Sequence, residues 1–197
     1  ILNAHDVEGV RYKEPKLKIM GVEAVKSSTP AACREKIKDA LKIIMTKDNQ
    51  ELNSFIQDFR KDFMDLKPEL IAYPRSVNGL NKWTESHNLF KKGAPIHCKG
   101  AILYNHLLQD KKLQNKYPYI QEGDKIKFLH MKTPNVYQST SISFMTKLPN
   151  ELNLHNFIDY DMQFEKSFVE PLKFITDIIR WQIDSSYGTQ GTLEGFF

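Results

Sequence analysis

Two apolar stripes at helical spacing, joined by a short polar stretch, are the feature that most constrains how this chain folds. The first consists of Cys33, Ile37, Leu41, Ile44 and Met45, and the second of Leu52, Phe55, Ile56, Phe59, Phe63 and Leu66. Ser28 or Thr29 is expected to cap the first helix, with Pro30 in its first turn. Pro68 is expected to end the second helix. The short connection between the stripes predicts an antiparallel helical hairpin.

The rest of the chain mixes helical and extended patterns. Further helices are expected at 101–112 and 164–179, with a kink or break of the latter at Pro171. Alternating apolar residues predict extended segments at 10–20, Lys125–His130 and Ser141–Phe144. Residues 71–100 lose helical periodicity and are interpreted as loop with short strands. A turn is expected at Glu122-Gly123-Asp124.

The length and the cysteines exclude several classes of protein. A chain of 197 residues is one domain or a domain with short appendages. Cys33 and Cys98 are far apart in sequence, which disfavours a disulfide scaffold or a cysteine zinc site and favours a reducing compartment. No N-terminal signal is recognised, and no apolar run approaches the roughly 18 residues of a membrane span. Because the first residue is isoleucine, we expect a processed piece, a cloned fragment or part of a larger protein.

Positive charge is concentrated in the middle third of the sequence. The net charge is +4, but residues 71–132 hold 11 basic and 4 acidic side chains, whereas residues 133–197 hold 4 basic and 8 acidic. A one-sided basic patch is expected for a protein with a polyanionic partner. The alternative is a lysine-rich, solvated face.

Residues 185–197 are predicted to be a flexible tail, yet the tail ends in apolar side chains. Its last eight residues follow the pattern Gln-x-x-Leu-x-x-Phe-Phe, formed by Gln190, Leu193, Phe196 and Phe197. Burying each apolar side chain in a partner is worth roughly 1.5–3 kcal/mol. The pattern resembles the sliding-clamp-binding box at the ends of replication proteins. The alternative is that the tail folds back on its own domain.

Three further segments resemble parts of one family. Lys16–Pro30 (KLKIMGVEAVKSSTP) is similar to the junction of palm and thumb in the T-even-type bacteriophage replicative DNA polymerases of family B. Pro95–Asn105 (PIHCKGAILYN) is similar to a segment of the thumb, as are Ile158-Asp-Tyr and Glu165–Leu172 (EKSFVEPL). These segments occur in the family's order and spacing, and the likeness extends over nearly the whole chain.

The resemblance implies an architecture and a role. Residues 1–20 would be the end of the palm, 21–184 the thumb, and 185–197 the flexible tail with the clamp-binding motif. The expected fold class is α+β, mainly helical, a family B polymerase thumb with a small β-rich tip. This C-terminal region would grip primer–template duplex through its backbone and tether the polymerase to the sliding clamp. The implied partners are double-stranded DNA, the clamp and the remaining palm, fingers and exonuclease, without a membrane, in the cytoplasm of an infected bacterial host.

The resemblance also implies which side chains lie near the DNA backbone: Lys26, Ser76, Asn78, Lys82, Lys92, Lys99 and Lys166. Lys91 joins this set because Gly93, with no side chain, permits close approach beside Lys91-Lys92. Trp83 and Tyr104 could stack on sugars or bases, but a core position is the commoner role for such residues.

No catalytic residue is expected in this chain. Nucleotide polymerisation needs paired carboxylates that hold two magnesium ions about 3.5–4 Å apart. The resemblance places these carboxylates and the magnesium in palm motifs before this region, so no cofactor is expected here. Asp159-Tyr160-Asp161 does not match those motifs and is interpreted as a surface turn. His97 beside Cys98 is too small a set for a metal site, and a buried or hydrogen-bonded histidine is expected.

Two other hypotheses remain open at this stage. A free-standing sliding-clamp-binding adaptor with no polymerase role would share the tail but bind protein through its folded part. An independent enzyme would need a nucleophile or a metal set, and the sequence contains no P-loop, Gly-x-Ser-x-Gly or His-Glu-x-x-His motif. On the preferred hypothesis the chain belongs to a polymerase but is inactive alone.

Overall fold

A computed structural model describes the backbone of residues 2–7, 10–85 and 89–184, with side chains described from residue 19 onward in those ranges. The chain divides into two compact units. The first consists of the residues up to Asp62 together with those from Phe164 onward, and the second is Phe63–Gln163. In the described ranges, no helix combines the length and the apolar character that spanning a membrane would require.

The first unit begins with an antiparallel hairpin of β1 (Leu2–Val7) and β2 (Val10–Lys18). The expected extended segment at 10–20 is therefore confirmed. A 3₁₀ turn at Glu23–Val25 follows, and then come the two predicted helices, α1 (Ala31–Thr46) and α2 (Asn49–Met64).

The start of α1 differs from the prediction. Pro30 occupies the capping position, and no side chain caps the helix. The Thr29 hydroxyl instead donates to the Glu23 carbonyl oxygen at 2.8 Å, so it is committed to the preceding 3₁₀ turn. A capping side chain accepts a hydrogen bond from the second or third N–H of the helix, and Thr29 precedes the capping position by one residue.

Aromatic rings form much of the core of the first unit. On α2, the Phe59 ring lies edge-on to the ring of Phe168, with centroids 4.7 Å apart, and 5.7 Å from Phe164. The Lys36 ammonium of α1 lies 5.3 Å from the centre of the Phe59 ring, a contact that an antiparallel α1–α2 hairpin would make. The apolar stripe of the second predicted helix thus faces the core, as its spacing indicates.

The last helical segment is broken, as Pro171 predicts. It consists of α6 (Tyr160–Phe164), a π-helical turn at Glu165–Val169 and α7 (Glu170–Thr176), with Pro171 in the first turn of α7. Proline has no N–H to donate, so a regular helical ladder cannot pass through it unchanged.

The second unit contains a three-stranded antiparallel sheet in the order β3 (Tyr73–Ser76), β4 (Lys125–His130), β5 (Ser141–Phe144). Strands β4 and β5 match the predicted ranges and pair as expected. Its helices are α3 (Pro68–Ile71), α4 (Leu80–Trp83) and α5 (Ile96–Asp110), with 3₁₀ turns at Asn150–Leu152 and His155–Phe157. Pro68 therefore starts a short helix after α2 has ended at Met64. Helix α5 begins about five residues earlier than its periodicity indicates.

Helix α5 packs unusually close to β5. The Ser143 hydroxyl donates to the His97 carbonyl at 2.8 Å, and the Ser141 hydroxyl donates to the Ile96 carbonyl at 2.6 Å. Gly100 makes this approach possible, because a Cβ there would lie 2.5 Å from Ser143 Oγ and 2.7 Å from Ser143 N. The strand thus determines where the N-terminal turn of α5 lies.

Taken together, the described elements confirm an α+β fold that is mainly helical. The assignment of residues 21–184 to a thumb, and the boundaries with palm and tail, remain predictions.

Candidate nucleic-acid interface

Residues 73–85 and 89–99, which we call the basic segment, run from β3 through α4 to the first turn of α5. Gly79 adopts a φ of +77°, which favours glycine and starts α4 directly after the strand. After α4, Thr84 forms a bridge with Phe90, and Lys91 N–H donates to the Trp83 carbonyl at 2.8 Å. The polypeptide therefore doubles back, which brings the residues on either side of the 84–90 bridge close together.

Six of the eight predicted DNA-binding residues lie in this segment, in the second unit: Ser76, Asn78, Lys82, Lys91, Lys92 and Lys99. Lys99 is half-buried and the other five are exposed. The structure therefore places most of the predicted set on one stretch that returns on itself.

Aromatic rings, rather than acids, accompany two of these lysines. The Lys82 ammonium lies 4.9 Å from the centre of the Trp83 ring, and the Lys99 ammonium lies 5.5 Å from that of Phe90. A cation–π contact orients an ammonium group without cancelling its charge. Within the described part of the chain, Lys91 and Lys92 form no ion pair. The basic segment thus retains positive charge that a phosphate can neutralise.

The two remaining predicted residues belong to the first unit and are already paired. Lys26 forms an ion pair with Glu23, and Lys166 forms one with Glu170. These are exposed pairs at spacings of three and four residues, worth about 0–1 kcal/mol each. A phosphate can displace such a carboxylate, but it gains less than it does from an unpaired lysine. Both spacings are visible in the sequence and could have indicated this pairing.

Arg75 is a candidate that the sequence reasoning did not include. It precedes Ser76 in β3, and its guanidinium lies 5.6 Å from the centre of the Tyr73 ring and 6.0 Å from that of Phe128. Its Nη1 donates to the Pro74 carbonyl at 2.9 Å. The indication available in the sequence was its position within a basic, acid-poor stretch.

His97 lies within this segment and Tyr104 lies further along α5, and the two residues have different surroundings. Partial burial, followed by the positive charge of Arg75, lowers the pKa of His97 below its usual 6.5, so its imidazole adds no charge to the surface at neutral pH. Tyr104 is 2% exposed, and burial raises its pKa to about 12. The core position expected for Tyr104 is confirmed. Trp83 is instead half-buried, and its ring lies under the Lys82 ammonium.

Asp159 has a structural role at the start of α6, and Asp161 lies within that helix rather than in the expected surface turn. Asp159 Oδ1 accepts a hydrogen bond from Met162 N–H at 2.9 Å, which is a helix cap. Across residues 19–85 and 89–184, no group of three or more His, Cys, Asp or Glu is placed to hold a metal ion. These residues therefore do not fit the two-magnesium centre of a polymerase, and magnesium remains an expectation for the palm.

The predicted clamp-binding residues, Gln190, Leu193, Phe196 and Phe197, lie outside the described residues.

Comparison with known proteins identifies the class to which this mainly helical, basic chain is related: it is homologous to bacteriophage DNA-directed DNA polymerases. It is 33% identical over 180 residues to the polymerase of Escherichia phage RB69, an alignment that covers 89% of this chain. It is 29% identical over 175 residues to the polymerase of Enterobacteria phage T4, covering 87% of this chain. The chain spans only 19% of the length of each of these relatives. No protein-family profile matches it.

These relationships confirm the resemblance to T-even-type phage polymerases. They do not favour the alternative of a free-standing clamp-binding adaptor.

Proposed function

We propose that this chain is the thumb region of a phage DNA-directed DNA polymerase and that its basic segment holds the primer–template duplex by the phosphate backbone. One observation carries the proposal: six predicted DNA-binding residues lie on the basic segment, in a chain homologous to DNA polymerases. The lysines there are exposed or accompanied by aromatic rings, so their charge is available to phosphates.

The chemistry of the segment suits a protein that must bind every sequence it copies. Ammonium groups contact phosphates as point charges and carry no sequence information, whereas base recognition would require planar groups directed into a groove. Gly93 adopts a φ of +84° next to Lys92, and a Cβ built there would meet no atom within 4 Å. The polypeptide at Gly93 can therefore approach a backbone closely.

Nucleotide transfer itself is assigned to the rest of the polymerase. The magnesium-binding carboxylates would belong to the palm, and this chain would keep the duplex aligned behind them. On this proposal the isolated chain binds DNA but incorporates no nucleotides.

The tail adds a second attachment. Through Gln190, Leu193, Phe196 and Phe197, it would bind the sliding clamp and keep the polymerase on its template. The support for this part is the sequence pattern alone.

The salt dependence of duplex binding tests the proposal. If the chain neutralises about four to six phosphates, log Kobs should fall with log[salt] at a slope near −4 to −5, whatever the duplex sequence. The double variant Lys82→Ala/Lys92→Ala should weaken binding by about 60-fold at 0.1 M salt and reduce the slope by about 1.8, since each lost phosphate contact contributes about 0.9. Fluorescence anisotropy with a labelled 20-base-pair duplex measures both quantities.

The matched control is Lys111→Ala/Lys147→Ala, which removes two exposed charges from the same unit. Lys111 lies at the C-terminal end of α5, whereas Lys99 lies in its first turn. Binding by this control should stay within about threefold of wild type, through the loss of long-range attraction alone. A wild-type slope near zero, or equal losses in the two double variants, would count against the proposed interface.

A further inference from the structure

The carboxylate of Glu122 binds the backbone at the start of α4, although Glu122 is distant along the chain. Glu122 Oε1 accepts the Gly79 N–H, and Oε2 accepts the Leu80 N–H at 2.8 Å. Leu80 and Glu122 are 42 residues apart, so these are tertiary contacts. Hydrogen bonds to a charged group are about twice as strong as bonds between neutral groups.

The same turn holds the adjacent backbone. Val77 N–H donates to the Asp124 carbonyl at 2.9 Å, and Gly123 N–H donates to the Val77 carbonyl at 2.8 Å. These two bonds extend the β3–β4 ladder beyond Ser76, its last paired residue on β3. The backbone from Val77 to Leu80 is thus held by the turn that precedes β4.

Two candidate DNA contacts depend on the orientation of this backbone. Asn78 is exposed and lies directly before Gly79, whose N–H binds Glu122. Lys82 is exposed one turn later on α4. Helix α4 has only four residues, so its own hydrogen bonds supply little rigidity. Contacts from outside must therefore hold it in place.

We propose that Glu122 is a positioning residue for duplex binding, because its carboxylate fixes the backbone that presents Asn78 and Lys82 to DNA. The inference rests on the proposed function. It also makes a prediction that runs against simple electrostatics. A carboxylate close to a DNA-binding surface repels phosphates, so removing its charge should tighten binding unless the positioning effect is larger.

Two substitutions distinguish the effect of backbone positioning by Glu122 from the effect of its negative charge. Glu122→Gln removes the charge and leaves one carbonyl oxygen for two N–H donors, whereas Glu122→Asp keeps the charge on a side chain shorter by one methylene. If positioning dominates, both variants should raise the Kd for a labelled 20-base-pair duplex about eightfold at 0.1 M salt. Both should also reduce the salt slope by about 0.9, the loss of one phosphate contact.

Two control variants measure the effects of charge removal and of lowered stability separately. Asp110→Asn removes a negative charge from exposed Asp110 at the end of α5 and should not weaken binding. Ile142→Val removes a methyl group from fully buried Ile142 and lowers the stability of the same unit. It should leave the salt slope unchanged while the protein remains folded, as followed by its urea unfolding midpoint.

Binding by Glu122→Gln as tight as or tighter than wild type would overturn the positioning role, as would an unchanged salt slope in both Glu122 variants. An equal change of slope in Ile142→Val would also overturn it, by showing that general destabilisation suffices. A wild-type slope near zero would refute the proposed function itself, which distinguishes the two failures.

Discussion

Replacing Gly100 by alanine tests whether the close packing of α5 on β5 outweighs helix propensity. Gly100 lies inside a 15-residue helix, where alanine is intrinsically better than glycine by about 1 kcal/mol. Propensity alone therefore predicts that Gly100→Ala stabilises the protein. The structure instead predicts that Gly100→Ala destabilises the protein.

The magnitude follows from what the new methyl group would meet. Its Cβ would lie 2.5 Å from Ser143 Oγ and 2.7 Å from both Ser143 N and the Ile142 carbonyl carbon. Two of these three atoms are backbone and cannot rotate away, so the helix or the strand must shift. Overpacking of this kind costs about 1–3 kcal/mol, and the upper end applies because backbone is involved. After the gain of about 1 kcal/mol in propensity, we expect a net destabilisation of about 1–2 kcal/mol.

Urea unfolding followed by tryptophan fluorescence measures this change. Trp83 lies in the second unit and Trp181 in the first, so a Trp181→Phe background makes the signal report the unit that contains α5. The matched control is the pair His106→Ala and His106→Gly, at an exposed position of the same helix. Alanine should be the more stable of that pair by about 1 kcal/mol.

The reasoning is refuted if Gly100→Ala raises stability by an amount similar to the Gly-to-Ala difference at position 106. Such a result would mean that α5 and β5 can separate at little cost. It would also remove the argument that β5 determines the position of the first turn of α5, where Lys99 lies.

Three further predictions concern the core, the tail and the pH dependence. Phe59→Ala should cost roughly 3–5 kcal/mol of unfolding free energy, because the ring is 3% exposed and packs edge-on to Phe168; a loss below about 1 kcal/mol by urea titration would contradict this. Phe196→Ala/Phe197→Ala should abolish binding to a sliding clamp and leave the urea midpoint unchanged, whereas a core-sized loss of stability would show that the tail packs on its own chain. Acidification below pH 6.5 should lower stability in part through His97, because burial and then the charge of Arg75 hold its folded-state pKa below the unfolded value, so the folded chain binds fewer protons. His97→Gln should reduce this fall in midpoint with pH, and identical profiles for the two proteins would refute it.

Local features were predictable because neighbouring residues encode them. The stripes of α1 and α2, the strands β4 and β5, and the break near Pro171 follow from periodicity or from the chemistry of proline. The start of α1 was predicted wrongly, since Pro30 rather than Ser28 or Thr29 occupies the capping position. A short strand was expected within residues 71–100, but its position at β3 was not predicted, because four residues are too few to show a period.

Some features of the candidate interface could likewise be predicted from the sequence, and others depend on tertiary packing. Sequence identified the basic stretch and the resemblance selected its lysines, because charge and motifs can be read along the chain. The contact of Lys99 with the Phe90 ring depends on how the basic segment folds, whereas Lys82 lies over the ring of its sequence neighbour Trp83. The partial burial of His97, which keeps it neutral, likewise depends on tertiary packing.

The sequence by itself therefore determined a mainly helical α+β chain with positive charge in its middle third, since each of these properties depends on residues within a few positions of one another. Only the tertiary structure decided that Gly100 must remain without a side chain and that Glu122 binds the backbone at the start of α4. Both depend on atoms that are more than 40 residues away along the chain and meet only when the sheet has formed. No local pattern specifies such a meeting.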